Sequence, residues 1–496
     1  MSSPATSTSP ASPTSPPTAD APGASRGPVV ERPGRLIALL VGAAFVVILN
    51  ETIMGVALPQ LMAEFGVTAA TAQWLTTAFL LTMAVVIPIS GFLLTRLPLR
   101  TVFVLAMSSF TLGTLTAATA PVFEVLVAGR VIQAVGTALM MPLLMTTILT
   151  IVPAERRGQM MGTISIVISV APAVGPTISG IVLDQLSWRW IFWLVLPIAV
   201  LALALGATWV RNVTEPQRVP IDVPSVLLSA VAFSGLIYGL SSIGEAAAGE
   251  TPVAPWVPVA VGAVALALFV RRQLRLRSAA LLDLRAFGTP TFSVAVLLVA
   301  VSMMALFGTL ILLPIYLQDV LGLSTLRTGL LLLPGGLTMG VLAPFVGRLF
   351  DRVGPRPLVA PGAALASVAL WLMATNLDAQ TTSGTVIAVH VLLSIGLAFM
   401  FTPLLTSALG SLPQHLYSHG SAIVGTVQQV AGAAGTALFV TVMTRQSTAA
   451  ISSGTNPVQG LAEGVHAAFL WGGVISAAAV LVALMVRRPR EVQVAG

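Results

Sequence analysis

The sequence predicts an all-α membrane protein with fourteen transmembrane helices, arranged as two six-helix bundles plus an inserted two-helix hairpin, both termini cytoplasmic. Three observations carry this. Only 8% of the 496 residues are charged and 56% are hydrophobic, whereas a soluble domain carries roughly a quarter charged residues. Apolar runs recur from Leu36 to Val486, each close to the about 20 residues that cross a bilayer. None alternates with the period of two expected of a membrane β-strand.

Taken in order, residues 1–34 are rich in Ser, Pro, Thr and Ala without apolar periodicity, and read as a disordered cytoplasmic tail. No cleavable signal is evident, because the first apolar run follows Arg32 and Arg35 and is long enough to span. The expected spans are 36–58, 72–94, 101–119, 123–147, 160–183, 190–210, 224–243, 255–271, 291–317, 328–347, 357–375, 384–409, 419–443 and 465–486. These divide the chain into an N-terminal six-helix bundle over 35–211 and an inserted hairpin with cytoplasmic linker over 212–287. A C-terminal six-helix bundle over 288–487 and a short tail over 488–496 complete it.

The basic residues, all Arg, fix the orientation. With a cytoplasmic N-terminus, only Arg189, Arg327 and Arg445 fall in outer loops and Arg130 falls inside a span; the others lie on the cytoplasmic side. That asymmetry follows the positive-inside rule along the whole chain, so the formal charge of +7 reports topology rather than a nucleic-acid surface. Trp74, Trp188, Trp190, Trp209 and Trp256 lie near span ends, where interfacial aromatics belong.

The second span ends in "GFLLTRLPLR", Gly91 to Arg100, and the tenth in "GRLFDRVGPR", Gly347 to Arg356. Both read as cytoplasmic loops at equivalent places in the two halves. Paired halves are a transporter signature, since rocking one against the other gives alternating access.

"GRLFDRVGPR" resembles the signature loop of the major facilitator superfamily. "LVAGRVIQAVGTA", Leu126 to Ala138, is similar to that superfamily's fourth-span motif with its intramembrane Arg. "APAVGPTISG", Ala171 to Gly180, resembles its fifth-span antiporter motif, and "WRWIFWLVLP", Trp188 to Pro197, the start of its sixth span. "LNETIMGVALP", Leu49 to Pro59, and "LPQHLYSHGSAIVGTVQQVAGAAGTA", Leu412 to Ala437, resemble the lincomycin-type multidrug exporters. The resemblance covers about residues 35–487 and implies a fourteen-span drug:proton antiporter. It has departures: Thr95 where Asp is usual, Asn50 at an Asp position with Glu51 beside it, Ser179 for a common Gly, and Val195 for a common Asn. Asp351, Arg352 and Arg356 keep the full pattern. By resemblance, Gly91, Arg96, Arg100, Gly347, Asp351, Arg352 and Arg356 are conformational residues. Gly175, Pro176 and Gly180 bend or thin span five for packing and hinging.

The residues themselves single out Glu51. A carboxylate inside a span costs roughly 2.5–3.5 kcal/mol on insertion scales, so such groups are rare and usually functional. Helical rise puts Glu51 about 6 Å and Arg130 about 7–8 Å outward of their span midpoints, at similar depth. The pair is a candidate for proton coupling or substrate binding; a static ion pair, or Glu51 capping polar backbone, is the alternative. Asn50, Thr52, Gln133, Gln428 and Gln429 are candidate cavity or supporting residues, or interhelical hydrogen-bond partners. His390 reads as a proton carrier or a packed neutral residue, and Asp222 as a solvated helix-start acid. Phe307, Phe401 and the Met residues would suit a soft drug pocket or plain core. His415 and His419 have metal-like spacing but no neighbouring carboxylate or Cys.

No Cys is present, which excludes disulfides and thiolate sites. There is no phosphate-binding loop and no clustered catalytic set, so neither an enzyme, a cofactor nor ATP hydrolysis is expected. Arg-only basic usage with abundant Ala and Gly matches a GC-rich bacterial source. The expected partners are a small hydrophobic substrate, protons and the lipid bilayer, with no nucleic acid and no obligate protein partner, in the cytoplasmic membrane. The reading is a proton-coupled multidrug efflux transporter. A transporter of one specific metabolite, or a non-transporting membrane sensor or scaffold, are the alternatives.

Overall fold

The computed structural model describes residues 33–210, 212, 216, 222–247, 253–378 and 380–485; most of the two tails lies outside them. Among the described residues there is no strand, and fourteen helices are long and apolar enough to cross a membrane. They are α1 (Pro33–Phe65), α2 (Ala69–Arg96), α3 (Leu99–Ala118), α4 (Phe123–Ile151), α5 (Arg157–Gln185), α6 (Arg189–Trp209) and α7 (Val223–Ala247). Then follow α8 (Trp256–Leu276), α9 (Pro290–Ile315), α10 (Thr325–Val353), α11 (Arg356–Asn376), α12 (Ser383–Gly410), α13 (Tyr417–Ser452) and α14 (Pro457–Ala483).

The packing repeats. In the first half α5 packs on α1, α4 on α2 and α3, and α6 on α3; in the second, α13 packs on α9, α12 on α10 and α11, and α14 on α11. The halves meet along α5 against α10 and, on the other side, α2 against α13. Small residues let backbones approach in both halves. A Cβ on Gly136 would strike Ala106 and Phe110 of α3, and one on Gly396 would strike Ala366 of α11. In a bilayer, where helices gain little from burying apolar surface against each other, such close packing holds them together.

The helices run past the expected spans for identifiable reasons. α1 continues to Phe65 rather than 58 and stops where Gly66 takes φ +65°. α13 continues to Ser452 rather than 443 and stops before Gly454 at φ +98°. α14 begins at Pro457 rather than 465, because the Asn456 side chain caps it by accepting from the Val458 N–H at 2.9 Å and proline suits the first turn. The expected cytoplasmic loops are also helical: Gly91–Arg96 ends α2, and Gly347–Val353 ends α10. Nothing breaks either helix before Leu97–Pro98 and Gly354–Pro355, and Arg100 and Arg356 lie in the first turns of α3 and α11. Trp188 is no interfacial residue: it is fully buried, and its indole N–H donates to Glu64 at 2.7 Å. Arg189 donates to the same carboxylate at 2.6 Å, which together with the indole holds Glu64 below the usual carboxylate range.

α7 and α8 pack on each other, and α7 lies across the α2–α13 seam, where Tyr238 stacks on Trp74 at 6.3 Å. Asp222 is no merely solvated acid. Arg272 grips it through Nε and Nη2, each at 2.7 Å. Gln273 ties α7 to the following turn, donating to Ser225 at 2.7 Å and accepting from the Leu281 N–H at 2.8 Å. The Arg272 fork holds the Asp222 carboxyl down to about 2. A depressed carboxyl stabilises the fold above its unfolded value and loses that contribution only as pH falls through its folded one. Asp222→Asn should therefore lower the melting temperature of purified protein by a similar, modest amount at pH 5 and at pH 8. A penalty that faded at pH 5 would contradict this ion pair.

Candidate functional site

Arg130 is 1% exposed, and its surroundings come from four helices. Its Nη1 donates to Asn50 Oδ1 on α1 at 3.0 Å and to Gln133 Oε1, one turn along α4, at 2.7 Å. Gln133 is itself oriented: its amide donates to Thr114 Oγ1 on α3 at 2.8 Å, and Thr114 donates to the Phe110 carbonyl at 2.7 Å. The guanidinium lies over the ring of Phe79 on α2, 4.1 Å from its centre. A desolvated cation–π contact of this kind contributes about 2 kcal/mol. Hydrogen bonds to a charged group add about 1.5–3 kcal/mol each, which offsets part of the cost of a buried charge.

The set is unfinished in one respect. Arg130 Nε and Asn50 Nδ2 are buried donors without a partner. Glu51, the next residue of α1, is only partly buried. It interacts electrostatically with Arg130, yet among the described residues no ion pair under 4 Å joins the two. Two idle donors thus lie near the carboxylate of a residue that is itself only partly buried. Thr52 turns inward to donate to the Leu49 carbonyl at 3.0 Å and packs on Gly175, where a Cβ would collide with its hydroxyl. α1 and α5 therefore touch at the level of the carboxylate. Gly180 has open space around it; Pro176 is helical in backbone, and its side chain lies outside the described residues.

The other candidates lie elsewhere. Gln428 and Gln429 are on α13; Gln428 Nε2 is buried without a partner, and Gln429 reaches Met83 Sδ on α2 at 4.0 Å, across the seam. Phe401 is fully buried, so in this conformation it lines no pocket, whereas Phe307 is partly exposed and packs on Gly432. His419 is turned to the linker and accepts from the Asp283 N–H at 3.5 Å.

The motif residues gather where the halves meet, at the arginine-rich end. Asp351 accepts the N–H groups of Gly158 and Gln159 at 2.8 and 3.0 Å, at the N-terminus of α5, where unpaired amides and the helix dipole favour an anion. At the equivalent corner Thr95 bonds to Ser418 on α13 at 2.9 Å, a neutral contact in place of a charged one. Arg157 Nη1 donates to Tyr417 at 3.1 Å, Thr146 to Ser421 at 3.3 Å, and Thr402 to Ser165 at 2.8 Å. These bonds close the arginine-rich end. Arg100 meets Asn212 there through its backbone N–H, Arg96 lies over Phe92, and Arg352 is exposed.

Gly347 and Gly158 pack backbone to backbone, and a Cβ on Gly158 would lie 2.6 Å from the Gly347 carbonyl oxygen. A side chain at 347 overpacks the same seam, which costs about 1–3 kcal/mol. Gly347→Val should therefore open this end. With no native Cys, a probe at Ser421→Cys, buried in the parent, should react with a maleimide at least about tenfold faster, the factor for 1.4 kcal/mol. Unchanged labelling would contradict the closure described.

Phe79 and Thr114 are the site residues that sequence reasoning does not reach. Neither differs in type from the lipid-facing or core residues around it, and only the α2–α3–α4 packing brings them to Arg130.

A Major Facilitator Superfamily model matches residues 40–436. The lincomycin resistance protein LmrB of Listeria monocytogenes is 43% identical over 464 residues, which are 92% of this chain and 98% of that protein. Its namesake in Bacillus subtilis is 41% identical over 459 residues, covering 91% and 95%. Among solved structures, the human organic anion transporter MFSD10 (TETRAN) superposes with a TM-score of 0.66 at 14% identity, covering 91% of this chain and 99% of that one. The proton:xylose symporter XylE does so with 0.62 at 15%, covering 92% and 96%. At such identities these two speak for the fold alone.

Proposed function

We propose, from the premise that the chain belongs to the major facilitator superfamily and is a multi-pass membrane transporter, that it exports hydrophobic or amphipathic drugs from the cytoplasm in exchange for protons. The relatives carry names of lincomycin resistance, which supports drug efflux as the cargo class. Proton coupling rests on one observation: a carboxylate inside a span, Glu51, that makes no ion pair under 4 Å yet lies in the field of a buried guanidinium with an unused N–H.

In this reading the closed arginine-rich end is cytoplasmic and Glu51 lies towards the outer side. Glu51 takes a proton from outside and rests unpaired, as described here. When the halves rock and the site faces the cytoplasm, the proton leaves, and the carboxylate turns to the idle donors of Arg130 and Asn50. A drug bound beside Glu51 competes with the proton for that state, which couples the two flows. Each proton entering contributes about 2.3 kcal/mol per 100 mV of membrane potential. The corner bonds of Asp351 and Thr95 hold the cytoplasmic end shut until the proton state changes.

The test is made in cells. Expressed in a drug-sensitive bacterium, the protein should raise resistance to lincomycin and lower its steady-state accumulation, and a protonophore should abolish the difference. Lower accumulation that persists with the protonophore would contradict ion coupling. Transport of a single metabolite, with no drug affected, would move the reading to a specific transporter.

A further inference from the structure

The two halves correspond more closely than the loop motifs alone reveal. A shift of 260 residues carries the first residue of α4, Phe123, onto that of α12, Ser383. It carries the short turn Ala154–Arg156 onto Gln414–Leu416, and the first residue of α5, Arg157, onto that of α13, Tyr417. It also carries Gly136 onto Gly396, Thr146 onto Thr406 and Pro153 onto Pro413. For α2 and α10 the shift is 256, which carries the capping residue Thr68 onto Ser324, Pro88 onto Pro344 and Gly91 onto Gly347. Under these shifts Arg130 falls on His390, and Phe79 falls on Gly335.

The contacts repeat as well. Arg130 of α4 lies over Phe79 of α2. His390 of α12 lies against Gly335 of α10, so close that a Cβ there would strike the imidazole. The second half thus keeps a nitrogen base at the depth of Arg130, with the supporting ring replaced by empty backbone. Its surroundings differ in chemistry. Gln133 falls on Leu393, and Thr114 falls on Leu370 under the shift of 256 that the contacts of Gly136 and Gly396 give α3 and α11, so the polar chain that satisfies Arg130 is missing. The imidazole hydrogen-bonds to the backbone of Leu332 on α10, and Nδ1 is buried without a partner. An imidazole that donates from one nitrogen to a carbonyl presents a lone pair at the other. Among the described residues, no charged group of α5, α9, α10, α11 or α13 is paired with it. His390 as a whole is partly exposed while Nδ1 is shielded in this conformation, so cargo reaches that atom when the helices around it move apart.

We propose that His390 is a cargo-recognition residue in the C-terminal half, whose Nδ1 accepts a hydrogen bond from an N–H or O–H of the exported compound. A buried acceptor left empty is costly, and a donor that fills it is favoured over an analogue that has none. The division of labour follows from the repeat: the first half holds Glu51 and Arg130, and the second offers an imidazole acceptor at the depth of Arg130. The inference deepens the drug-export reading and rests on it.

The test uses two permanent cations in inside-out vesicles at one pH: ethidium, whose aryl amines donate, and tetraphenylphosphonium, which has no donor. The readout is the ratio of the two KM values. His390→Leu should raise the ethidium-to-tetraphenylphosphonium ratio about tenfold, the worth of one such bond. His390→Gln, which restores an acceptor, should return it towards the parent value. If His390→Leu moves neither cation, the acceptor-free His390→Ala takes its place in the same comparison with the Gln variant. An unchanged ratio in His390→Leu, or no recovery with Gln, would overturn it. Parent protein that moves neither cation yet lowers lincomycin accumulation would overturn this proposal alone, whereas failure with lincomycin as well would remove the drug-export reading, so the two failures are distinct.

Discussion

Glu51→Gln is expected to abolish proton movement driven by drug while drug still binds. The amide keeps the size and polarity of a protonated carboxyl, so the site next to Asn50 and Arg130 keeps its shape. What disappears is the anionic form that would turn to the idle Arg130 Nε and Asn50 Nδ2. A transporter held in the proton-loaded form can still exchange one drug molecule for another. It cannot convert a pH gradient into a drug gradient. Drug counterflow near the parental rate, with gradient-driven uptake reduced at least about a hundredfold (the equivalent of 2.7 kcal/mol), is the expected pair of results. Gradient-driven uptake that survives would assign coupling to another group and leave Glu51 a structural or binding role.

Arg130 should be the most sensitive position for folding. Arg130→Ala leaves Asn50 Oδ1 and Gln133 Oε1 buried without a donor and removes the contact with Phe79. Each orphaned acceptor costs about 1–3 kcal/mol, so a loss on the order of 3 kcal/mol is expected, read as a lower melting temperature in detergent. Arg130→Lys separates charge from geometry. An ammonium keeps the charge, but it cannot lie flat on the ring while reaching two amide oxygens on different helices. It should fold nearly as well as the parent and still transport at least about tenfold more slowly, a loss of 1.4 kcal/mol. Parental transport by Arg130→Lys would show that only the charge matters.

The spans were legible because lipid imposes a length and a polarity on each element. Helix ends were less legible. A helix does not stop at the bilayer surface: it runs on until Gly66 or Gly454 takes a positive φ, or until a cap such as Asn456 starts the next. That is why the Gly347–Asp351 stretch, which reads as a loop, is the end of α10 and aims Asp351 at the α5 amides. The site divides in the same way. Rarity pointed to Glu51 and Arg130, and helical rise placed them at one depth. Rotation about each helix axis was invisible, so Asn50 rather than Glu51 turns out to be the residue bonded to Arg130. Phe79, Thr114 and the empty side of His390 depend on which neighbour a helix faces, and pattern alone does not carry that.

Drug-for-proton exchange is the central claim, and lumenal pH in inside-out vesicles made acid inside tests it most directly. Adding lincomycin to vesicles that contain the parent protein should make the lumen more alkaline, at a rate that saturates with drug and is absent without the protein. Drug accumulation with no change in lumenal pH would contradict proton antiport, whatever the role of Glu51.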